Sequence, residues 1–359
     1  METKTHTKIA TRLVRALVMM PLVSVSAGTL VVANKSEATV SLVDTGTNEV
    51  LATLPTGNAP HEVDVSPNGK LALVGNYGTR DEPGSSLTLI DVQAAKVVKT
   101  IELDDYSRPH GIVWLDNESA VVTVEENQAL IRVDIESGEV VQQIDTDADV
   151  SHMVAVARDN GLAFVANIGS GSVTVIDLAL GKRLANVPTG EGAEGITVTP
   201  NGRHVWITNR AEDTISVLSA SGRKLIAQIE AGSFPIRAEA TADGRFVLVT
   251  NAKGDNLSVF ATKEMKEVGR VSFTAVSKGD EGRLFSDRFG DSSVPIGIEI
   301  VDSERRAYVA HANADDISII DLEQWKVIGT LSAGKEPDGM GYSSLVVDDE
   351  TPEAEPTGE

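Results

Sequence analysis

Three histidines recur at one place in a repeated phrase of this chain. His61 stands in APHEVDVSPNG, His110 in RPHGIVWLDNE and His152 in VSHMVAVARDN, each just before an alternating apolar segment and a turn. Neutral imidazoles are common ligands of zinc, copper, nickel and iron, and histidine is also the usual proton carrier near neutral pH. If the fold brings these three side chains together, it creates a site for metal binding or proton transfer.

Four further copies of the phrase extend this position around the chain. Aligned on the alternation and the following turn, the seven copies hold, in chain order, His61, His110, His152, Glu194, Ile236, Ile296 and Asp338. Three protein ligands with an open position are typical of catalytic zinc. The three histidines, Glu194 and Asp338 are therefore candidate metal ligands. Glu194 and Asp338 are also the candidate catalytic groups, for proton transfer or for fixing a histidine tautomer.

A second landmark gives the length of the repeat. The residue that closes the second strand of each copy is read as Asn34, Asn76, Glu125, Asn167, Asn209, Asn251 and His311, so most copies are about 42 residues apart. Short apolar segments of period two, separated by Gly, Asn, Asp and Pro turns, predict an all-β, seven-bladed β-propeller with four antiparallel strands in each blade. A helical solenoid is excluded because its apolar period would be 3.6.

The two ends of the repeat region complement each other. TLVVAN, residues 29–34, reads as a second strand, whereas EPDGMGYSSL, residues 336–345, reads as an innermost strand without a blade of its own. Pairing them would close the ring and leave no open sheet edge. Innermost strands line the central channel, with the His61 position at its mouth. Second strands end at the same face, which makes His311 a further candidate metal ligand.

Long connections lie on the same face. The second unit carries extra residues in NYGTRDEPGSSL and IELDDYSRPH, and the sixth in SFTAVSKGDEGRLFSDRFGDSSVP. Insertions on one face commonly mark a binding site or a lid. Arg283 and Arg288, beside two phenylalanines, are candidates for closing over an anionic or aromatic ligand, and the alternative is a surface insertion without a role.

Composition restricts the classes of function. The formal charge of −22 argues against a nucleic-acid partner, because phosphate recognition needs clustered Lys and Arg. With no cysteine, the chain has neither disulfides nor thiolate metal sites. The channel histidines have a structural alternative as well, since polar residues that line a wet channel bind water and neighbouring backbone.

The two chain ends differ from the repeats. Residues 1–27 combine basic residues, an apolar run and Val25-Ser26-Ala27, which predicts a secretory signal peptide and a periplasmic or secreted protein. No later segment has the length of a membrane helix, so no transmembrane segment is expected in the mature chain. The propeller is predicted over residues 28–345. Residues 346–359 have the composition of a disordered acidic tail.

The repeats resemble a known family. PNGKLALVGN, PNGRHVWITN and ADGRFVLVTN, each followed by a TVSVID-like strand, are similar to the YVTN family of β-propeller repeats across residues 28–345. The broad group is similar in fold to the haem d1 domain of cytochrome cd1 nitrite reductase and to lactonase-type propellers. This resemblance implies the seven-bladed fold but no single catalytic motif. Glu125 and His311 depart from the usual asparagine.

These observations favour an exported propeller that binds a divalent metal, such as zinc, copper, nickel or iron, or a small anionic ligand at the channel mouth. One alternative is a metal-dependent lyase or lactonase-type enzyme, in which the metal polarises a carbonyl or activates water. Others are a carrier of a haem or quinone cofactor and a scaffold for protein partners. Metal or cofactor content would distinguish the first three from the scaffold.

Overall fold

The repeats form a closed ring of seven sheets. The computed structural model describes residues 27–221, 223–279, 283 and 289–348. In these residues, 28 strands form seven four-stranded antiparallel sheets, accompanied by two short 3-10 helices, Arg158–Asn160 and Asp302–Glu304. The predicted seven-bladed β-propeller is confirmed.

Each blade runs outward from the central channel, from a first to a fourth strand. The first strands are β4 (Pro60–Val65), β8 (Pro109–Trp114), β12 (Ser151–Ala157), β16 (Ala193–Val198), β20 (Pro235–Ala240), β24 (Pro295–Val301) and β28 (Pro337–Ser343). The second strands are β1 (Thr29–Asn34), β5 (Leu71–Gly78), β9 (Ser119–Val124), β13 (Leu162–Asn167), β17 (His204–Asn209), β21 (Phe246–Asn251) and β25 (Arg306–His311). The third strands are β2 (Thr39–Asp44), β6 (Pro83–Asp91), β10 (Ala129–Asp134), β14 (Ser172–Asp177), β18 (Thr214–Ser219), β22 (Asn256–Ala261) and β26 (Asp316–Asp321). The fourth strands are β3 (Val50–Pro55), β7 (Lys96–Glu102), β11 (Val140–Asp145), β15 (Lys182–Pro188), β19 (Lys224–Glu230), β23 (Lys266–Ser272) and β27 (Lys326–Ser332).

One blade joins the two ends of the repeat region. Its order is β28-β1-β2-β3, so the last strand of the chain supplies the innermost strand of the first sheet. Strands β28 and β1 pair antiparallel, with Thr29 opposite Ser343 and Val31 opposite Gly341. The predicted ring closure is therefore confirmed, and it protects an edge that would otherwise be open to pairing.

The hydrophobic core lies between neighbouring blades. Leu73 and Leu89 of one blade, for example, pack in one cluster with Trp114 and Val122 of the next. Second strands are buried on both faces, whereas residues of the fourth strands alternate between exposed and partly buried. Each fully buried Leu, Ile, Val or Phe side chain stabilises the fold by about 1.5–3 kcal/mol relative to exposure.

Every first strand begins with the same backbone geometry. The residue just before it has a positive φ, between 48° and 73°, and these residues are Ala59, Arg108, Val150, Gly192, Phe234, Val294 and Glu336. Pairing with the second strand then shifts register within the next few residues, as between Pro60 and Val63 or between Pro109 and Ile112. Such a bulge re-aims the side chains within it. It turns the second residue of several first strands, including His61 and His152, into a cavity at the channel mouth.

The predicted terminal segments fall mainly outside the described residues. Residues 1–26 of the predicted signal peptide and residues 349–359 of the predicted tail are not among them. Near the described end of the chain, the backbone N–H of Asp348 donates to the carbonyl of Gln93 at 2.9 Å. No helix in the described part of the chain has the length and apolar character needed to cross a membrane.

Candidate functional site

The structure brings the three repeated histidines into contact. The ring centroids of His61 and His110 are 4.1 Å apart, and those of His110 and His152 are 3.5 Å apart. His61 and His152 flank the middle ring with centroids 6.4 Å from each other. The three imidazoles come from the adjacent strands β4, β8 and β12, so the ring of equivalent positions makes neighbours of residues that are far apart in the chain.

His110, the middle imidazole, is enclosed by the other two. It has no exposed surface, and neither of its ring nitrogens has a hydrogen-bond partner among the described residues. Burial, together with His152 and His61 beside it, holds the pKa of His110 well below its usual value. The ring is therefore neutral at physiological pH and retains a nitrogen lone pair.

His61 is flanked by a buried ion pair. Its Nδ1 lies 3.0 Å from Oδ2 of Asp338, close enough for ion pairing but off the direction of a hydrogen bond. The same carboxylate oxygen is 3.4 Å from Lys35 Nζ. Burial lowers the pKa of His61 more than Asp338 raises it. Burial would raise the pKa of Asp338, but His61 and Lys35 lower it.

His152 lies between two carboxylates. Its Nδ1 bonds Oε1 of Glu125, and its Nε2 lies 3.4 Å from Oε1 of Glu194. Burial opposes a charge here, but the two carboxylates outweigh it and raise the pKa of His152. Glu125 also accepts a hydrogen bond from the Tyr77 hydroxyl at 2.6 Å.

A buried arginine lies beneath this cluster. Arg237 is 4 % exposed, and its guanidinium bonds Glu62 across the channel and reaches Glu194 at 3.4 Å. Arg210 also pairs with Glu194. Burial would raise the pKa of Glu194, but Arg210, His152 and Arg237 lower it to about 2. A carboxylate this acidic is a weak proton acceptor at neutral pH.

Comparisons with known proteins agree with this architecture. The model of the cytochrome D1 heme domain matches residues 115–346, which is 232 of the 359 residues. The chain belongs to the cytochrome D1 heme domain family. A YNCE-like beta-propeller model matches residues 24–120. The predicted resemblance to haem d1-type propellers is thus confirmed.

Solved structures with the same fold are distant in sequence from this family member. A functionally unknown protein from Desulfotomaculum acetoxidans DSM 771 superposes with a TM-score of 0.71 at 17% identity, covering 89% of this chain and 99% of its own. Kuenenia stuttgartiensis hydrazine synthase superposes with a TM-score of 0.66 at 18% identity, covering 82% and 92%. At such identities the likeness shows the fold alone. None of the curated proteins compared with the chain matches it.

A cavity of about 800 Å³, which we call the mouth pocket, opens above the histidines of this cytochrome D1 heme domain family member. Its volume lies in the range of small-molecule sites. Aromatic walls come from Tyr77, Phe234 and Phe289, and among the described residues only two carboxylates, Glu125 and Glu194, line it. The lining cations are Lys35, Arg80, Arg108, Arg210 and Lys253. This excess of cations is local, because the whole chain has 31 basic and 53 acidic residues.

The strand pairing corrects one alignment made from the sequence. In six blades, the residue that pairs with the start of the first strand is Asn or His. In the blade that begins with β8, Pro109 pairs with Val124 instead. Val124 also pairs with Ala129, as Asn34 pairs with Thr39. Glu125 is therefore one position beyond the asparagine. The position after the paired residue, which we call the second ring, holds in chain order Lys35, Tyr77, Glu125, Ile168, Arg210, Ala252 and Ala312. The first five of these line the mouth pocket.

The remaining predicted residues lie apart from the histidine cluster. Both ring nitrogens of His311 have partners, Ser293 Oγ at 2.9 Å and Ser318 Oγ at 2.8 Å, and burial lowers its pKa to about 3. The guanidinium of Arg283 pairs with both oxygens of Asp315, at 2.7 and 2.6 Å. These bonds tie Arg283 to the turn after β25. Arg288 lies outside the described residues.

In the described part of the chain, two sets of donor atoms at the histidines suit a metal ion. One comprises His61, Glu62 and His110, and the other comprises His110, Glu125 and His152. In each set, one donor atom from every residue lies within 4.8 Å of the others. Both sets share the unpartnered His110.

Sequence reasoning did not assign a role to several charged residues of this site. Glu62 and Arg237 follow the aligned histidine position directly, in PHEVDV and PIRAEA, where four of the seven copies have glycine. That departure from glycine is the signal that would have found them. Lys35 and Arg210 each directly follow a repeated asparagine, Asn34 and Asn209. Tyr77 follows Asn76 in the same way.

Proposed function

We propose that this cytochrome D1 heme domain family protein binds a divalent transition metal at the histidine cluster, defined as His61, His110 and His152, and holds an anion beside it in the mouth pocket. The observation that carries the proposal is His110, which is fully buried with both ring nitrogens unpartnered in the described structure. Leaving a buried polar group without a partner costs about 1–3 kcal/mol. Coordination would satisfy one nitrogen of this neutral ring.

The chemistry of the donors supports a borderline metal. Imidazole nitrogens with a carboxylate suit zinc, copper, nickel or iron, whereas calcium and magnesium prefer oxygen ligands alone. In the divalent series, affinity for such a donor set rises toward copper. The mouth pocket adjoins the cluster through His61 and His152, which leaves room for an exogenous ligand.

Cations lining the mouth pocket support an anionic companion. Arg108 lies over the Tyr77 ring at 5.1 Å, and Lys253 lies over the Phe234 ring at 4.9 Å. Such walls favour a ligand that has both negative charge and flat apolar surface. We assign Glu194 and Asp338 to charge balance, because their low pKa values and their cationic partners suit pairing better than proton transfer.

Metal content tests the proposal directly. We expect protein isolated from its native compartment to contain near-stoichiometric metal by elemental analysis, or to take up zinc or copper in a calorimetric titration. His110→Ala should weaken binding at least about 100-fold, more than the loss of a group that only orients a ligand. His204→Ala is the control, because His204 begins strand β17, outside the cluster.

Absence of metal binding would contradict the proposal. If the wild-type chain contained no stoichiometric metal and took up none of zinc, copper, nickel or iron, the metal proposal would be wrong. Equal binding by the wild type and His110→Ala would place the metal elsewhere.

A haem is the second candidate, because the family is named for one. The residues fit such a group: His61 and His152 face the mouth pocket, each with a ring nitrogen that makes no hydrogen bond in the described residues. Either histidine would hold the iron, and Lys35, Arg108, Arg210 and Lys253 would pair with haem carboxylates. A bound haem would supply redox and ligand-binding chemistry. A Soret band in the absorption spectrum, lost in the His61 and His152 variants, would favour haem over a bare ion.

We also propose that the protein is exported to the periplasm or outside the cell, on the pattern of residues 1–27. We expect the mature chain to begin at Gly28 and to carry four fewer basic residues. Intact-mass analysis of fractionated cells checks this. A chain that retains Met1 through Ala27 in the cytoplasm would contradict it.

A further inference from the structure

Two rings of equivalent residues surround the channel mouth: the first is the aligned position of His61, and the second is the ring that contains Lys35 and Arg210. Charged residues of the two rings pair within their own blades. In the blade closed by β28, Lys35 of the second ring pairs with Asp338 of the first. In the blade that begins with β16, Arg210 of the second ring pairs with Glu194 of the first. Each of these pairs joins adjacent strands of one sheet and leaves a carboxylate neutralised by a cation.

Glu125 departs from this pattern. It belongs to the same blade as His110, but its Oε1 bonds His152 of the next blade, and His110 is left without a partner among the described residues. The carboxylate therefore lies beside both imidazoles. One oxygen of Glu125 and one nitrogen from each imidazole lie within 4.8 Å of one another.

The other buried carboxylates around the histidine cluster already form ion pairs with lysine or arginine. Glu62 pairs with Arg237, Glu194 with Arg210 and Arg237, and Asp338 with Lys35. Metal binding by any of them would have to compete with a buried ion pair. Glu125 is instead bonded by a neutral hydroxyl and an imidazole, neither of which is a fixed cation.

We infer that Glu125 is the carboxylate ligand of the metal site, completing a set with His110 and His152, an inference that rests on the proposed function. The alternative set with Glu62 is disfavoured because the Arg237 guanidinium occupies that carboxylate. Metal at the preferred set would replace the proton that Glu125 and His152 share, and it would give the buried His110 its missing partner.

Tyr77 is the positioning residue of this set. Its hydroxyl donates to Oε2 of Glu125, which leaves Oε1 directed toward the imidazoles. Tyr77 lies in the lengthened hairpin of β5 and β6, where the chain has extra residues relative to the other units. The Arg108 guanidinium stacks on the Tyr77 ring and donates to the carbonyls of Thr79 and Arg80. The insertion is thereby held against the site.

Cobalt and zinc titrations of the full-length protein test this assignment. We expect Glu125→Gln to weaken zinc binding at least about tenfold and to change the visible absorption spectrum of bound cobalt, because an oxygen ligand is altered. Tyr77→Phe should weaken binding by a smaller factor and keep the same cobalt spectrum. Glu191→Gln removes an exposed charge in the loop before β16, and it should change neither measurement.

The outcomes separate this inference from the proposed function. Loss of metal in His110→Ala together with unchanged affinity and cobalt spectrum in Glu125→Gln would overturn the role of Glu125 and leave the metal proposal standing. No uptake by the wild type would overturn both. If Glu125→Gln fails to fold by circular dichroism, Glu125→Ala decides, because it removes both carboxylate oxygens: an unchanged cobalt spectrum would again exclude Glu125 as a ligand.

Discussion

Equivalent histidines at the channel mouth have different properties because their neighbours differ. His110 and His152 occupy the same position of adjacent strands and are both buried. The pKa of His110 is lowered because burial acts without a carboxylate partner, whereas Glu125 and Glu194 raise the pKa of His152. Residue type and position in the repeat therefore do not set the charge of an imidazole. The charged groups next to each imidazole determine whether it is protonated.

A second group of equivalent residues lies three positions further along the first strands. Asp64, Glu239 and Glu299 each follow the aligned mouth residue by three, and Asp64 and Glu239 line a second cavity of about 500 Å³. Burial raises the pKa of Asp64 to about 6 and that of Glu239 to about 8, and it raises that of Glu299 as well. This part of the channel therefore retains protons that an exposed carboxylate would release.

A pH-dependent loss of stability follows at Glu239. Its folded-state pKa of about 8 exceeds the unfolded value near 4.5, so the folded state binds the extra proton between these pH values and loses that advantage as pH rises. We expect Glu239→Gln to be roughly 1–3 kcal/mol more stable than the wild type at pH 9, with a smaller difference at pH 5. Urea unfolding at both pH values measures this.

The control for this prediction is Glu230→Gln. Glu230 is exposed at the end of β19 and should leave the pH profile unchanged. Parallel stability profiles for the wild type and Glu239→Gln between pH 5 and pH 9 would show that Glu239 titrates normally.

First strands combine two devices that aim side chains at the axis, a left-handed residue before the strand and a bulge within it. Val150 and Val294 adopt a positive φ although they are β-branched, which is unfavourable for such residues. Strain of this kind is found mainly at functional sites, where the surrounding fold maintains it. Here it turns the mouth residues inward.

Glycine lets neighbouring first strands pack closely at the position after the aligned mouth residue. The position after the aligned mouth residue is Gly111, Gly195, Gly297 and Gly339 in four blades, and Glu62, Met153 and Arg237 occupy it in the other three. A Cβ on Gly195 would lie 2.5 Å from the carbonyl oxygen of Ile236 and 2.8 Å from Cα of Arg237. Neighbouring backbone therefore leaves no room for a side chain at Gly195. The three larger residues line the second cavity.

Gly195→Ala should consequently destabilise the propeller. We expect a loss of about 2–3 kcal/mol in the free energy of unfolding, because the added methyl meets backbone rather than a flexible side chain. Gly329→Ala in the outer strand β27 is the matched control, since its Cβ would make only an ordinary contact 3.7 Å from Ile319. Guanidinium unfolding measures both, and equal midpoints for the two variants would contradict the packing argument.

The molecule as a whole depends on closure of the ring. Strand β28 pairs with β1 and also contacts β4 and β24, the first strands on either side of it. It supplies Asp338, whose carboxylate lies between Lys35 and His61. A single segment near the end of the chain therefore completes both the fold and the charge balance of the site.

Removal of β28 tests this dependence. A chain that ends at Glu336 exposes the edge of β1 and opens the channel wall, so we expect it to lose its cooperative thermal transition and to aggregate. A chain that ends at Asp348 retains all strands of the described structure and should melt like the full-length protein. Circular dichroism and size-exclusion chromatography measure the two effects, and a cooperative, monomeric product ending at Glu336 would refute the requirement for closure.

Repeat period, strand order and ring closure were predictable from the sequence, because alternation and turn residues are local patterns that recur about every 42 residues. The same alignment placed His61, His110 and His152 in one ring, since equivalent positions of a propeller share an axis. Local patterns carry no information on which charges meet across that axis. Glu62 and Arg237, 175 residues apart, form a buried pair that only the closed ring creates.

Tertiary structure also decided between residues that look alike in sequence. His311 appears at the mouth face, but Ser293 and Ser318 bind both of its nitrogens. Glu125 appeared to replace the repeated asparagine, but strand pairing gives that place to Val124 and sets Glu125 beside two imidazoles. The sequence alone determined the ring and its histidines. Register, burial and distances across the channel determined which side chains are left to bind a ligand, because those quantities depend on all seven blades together.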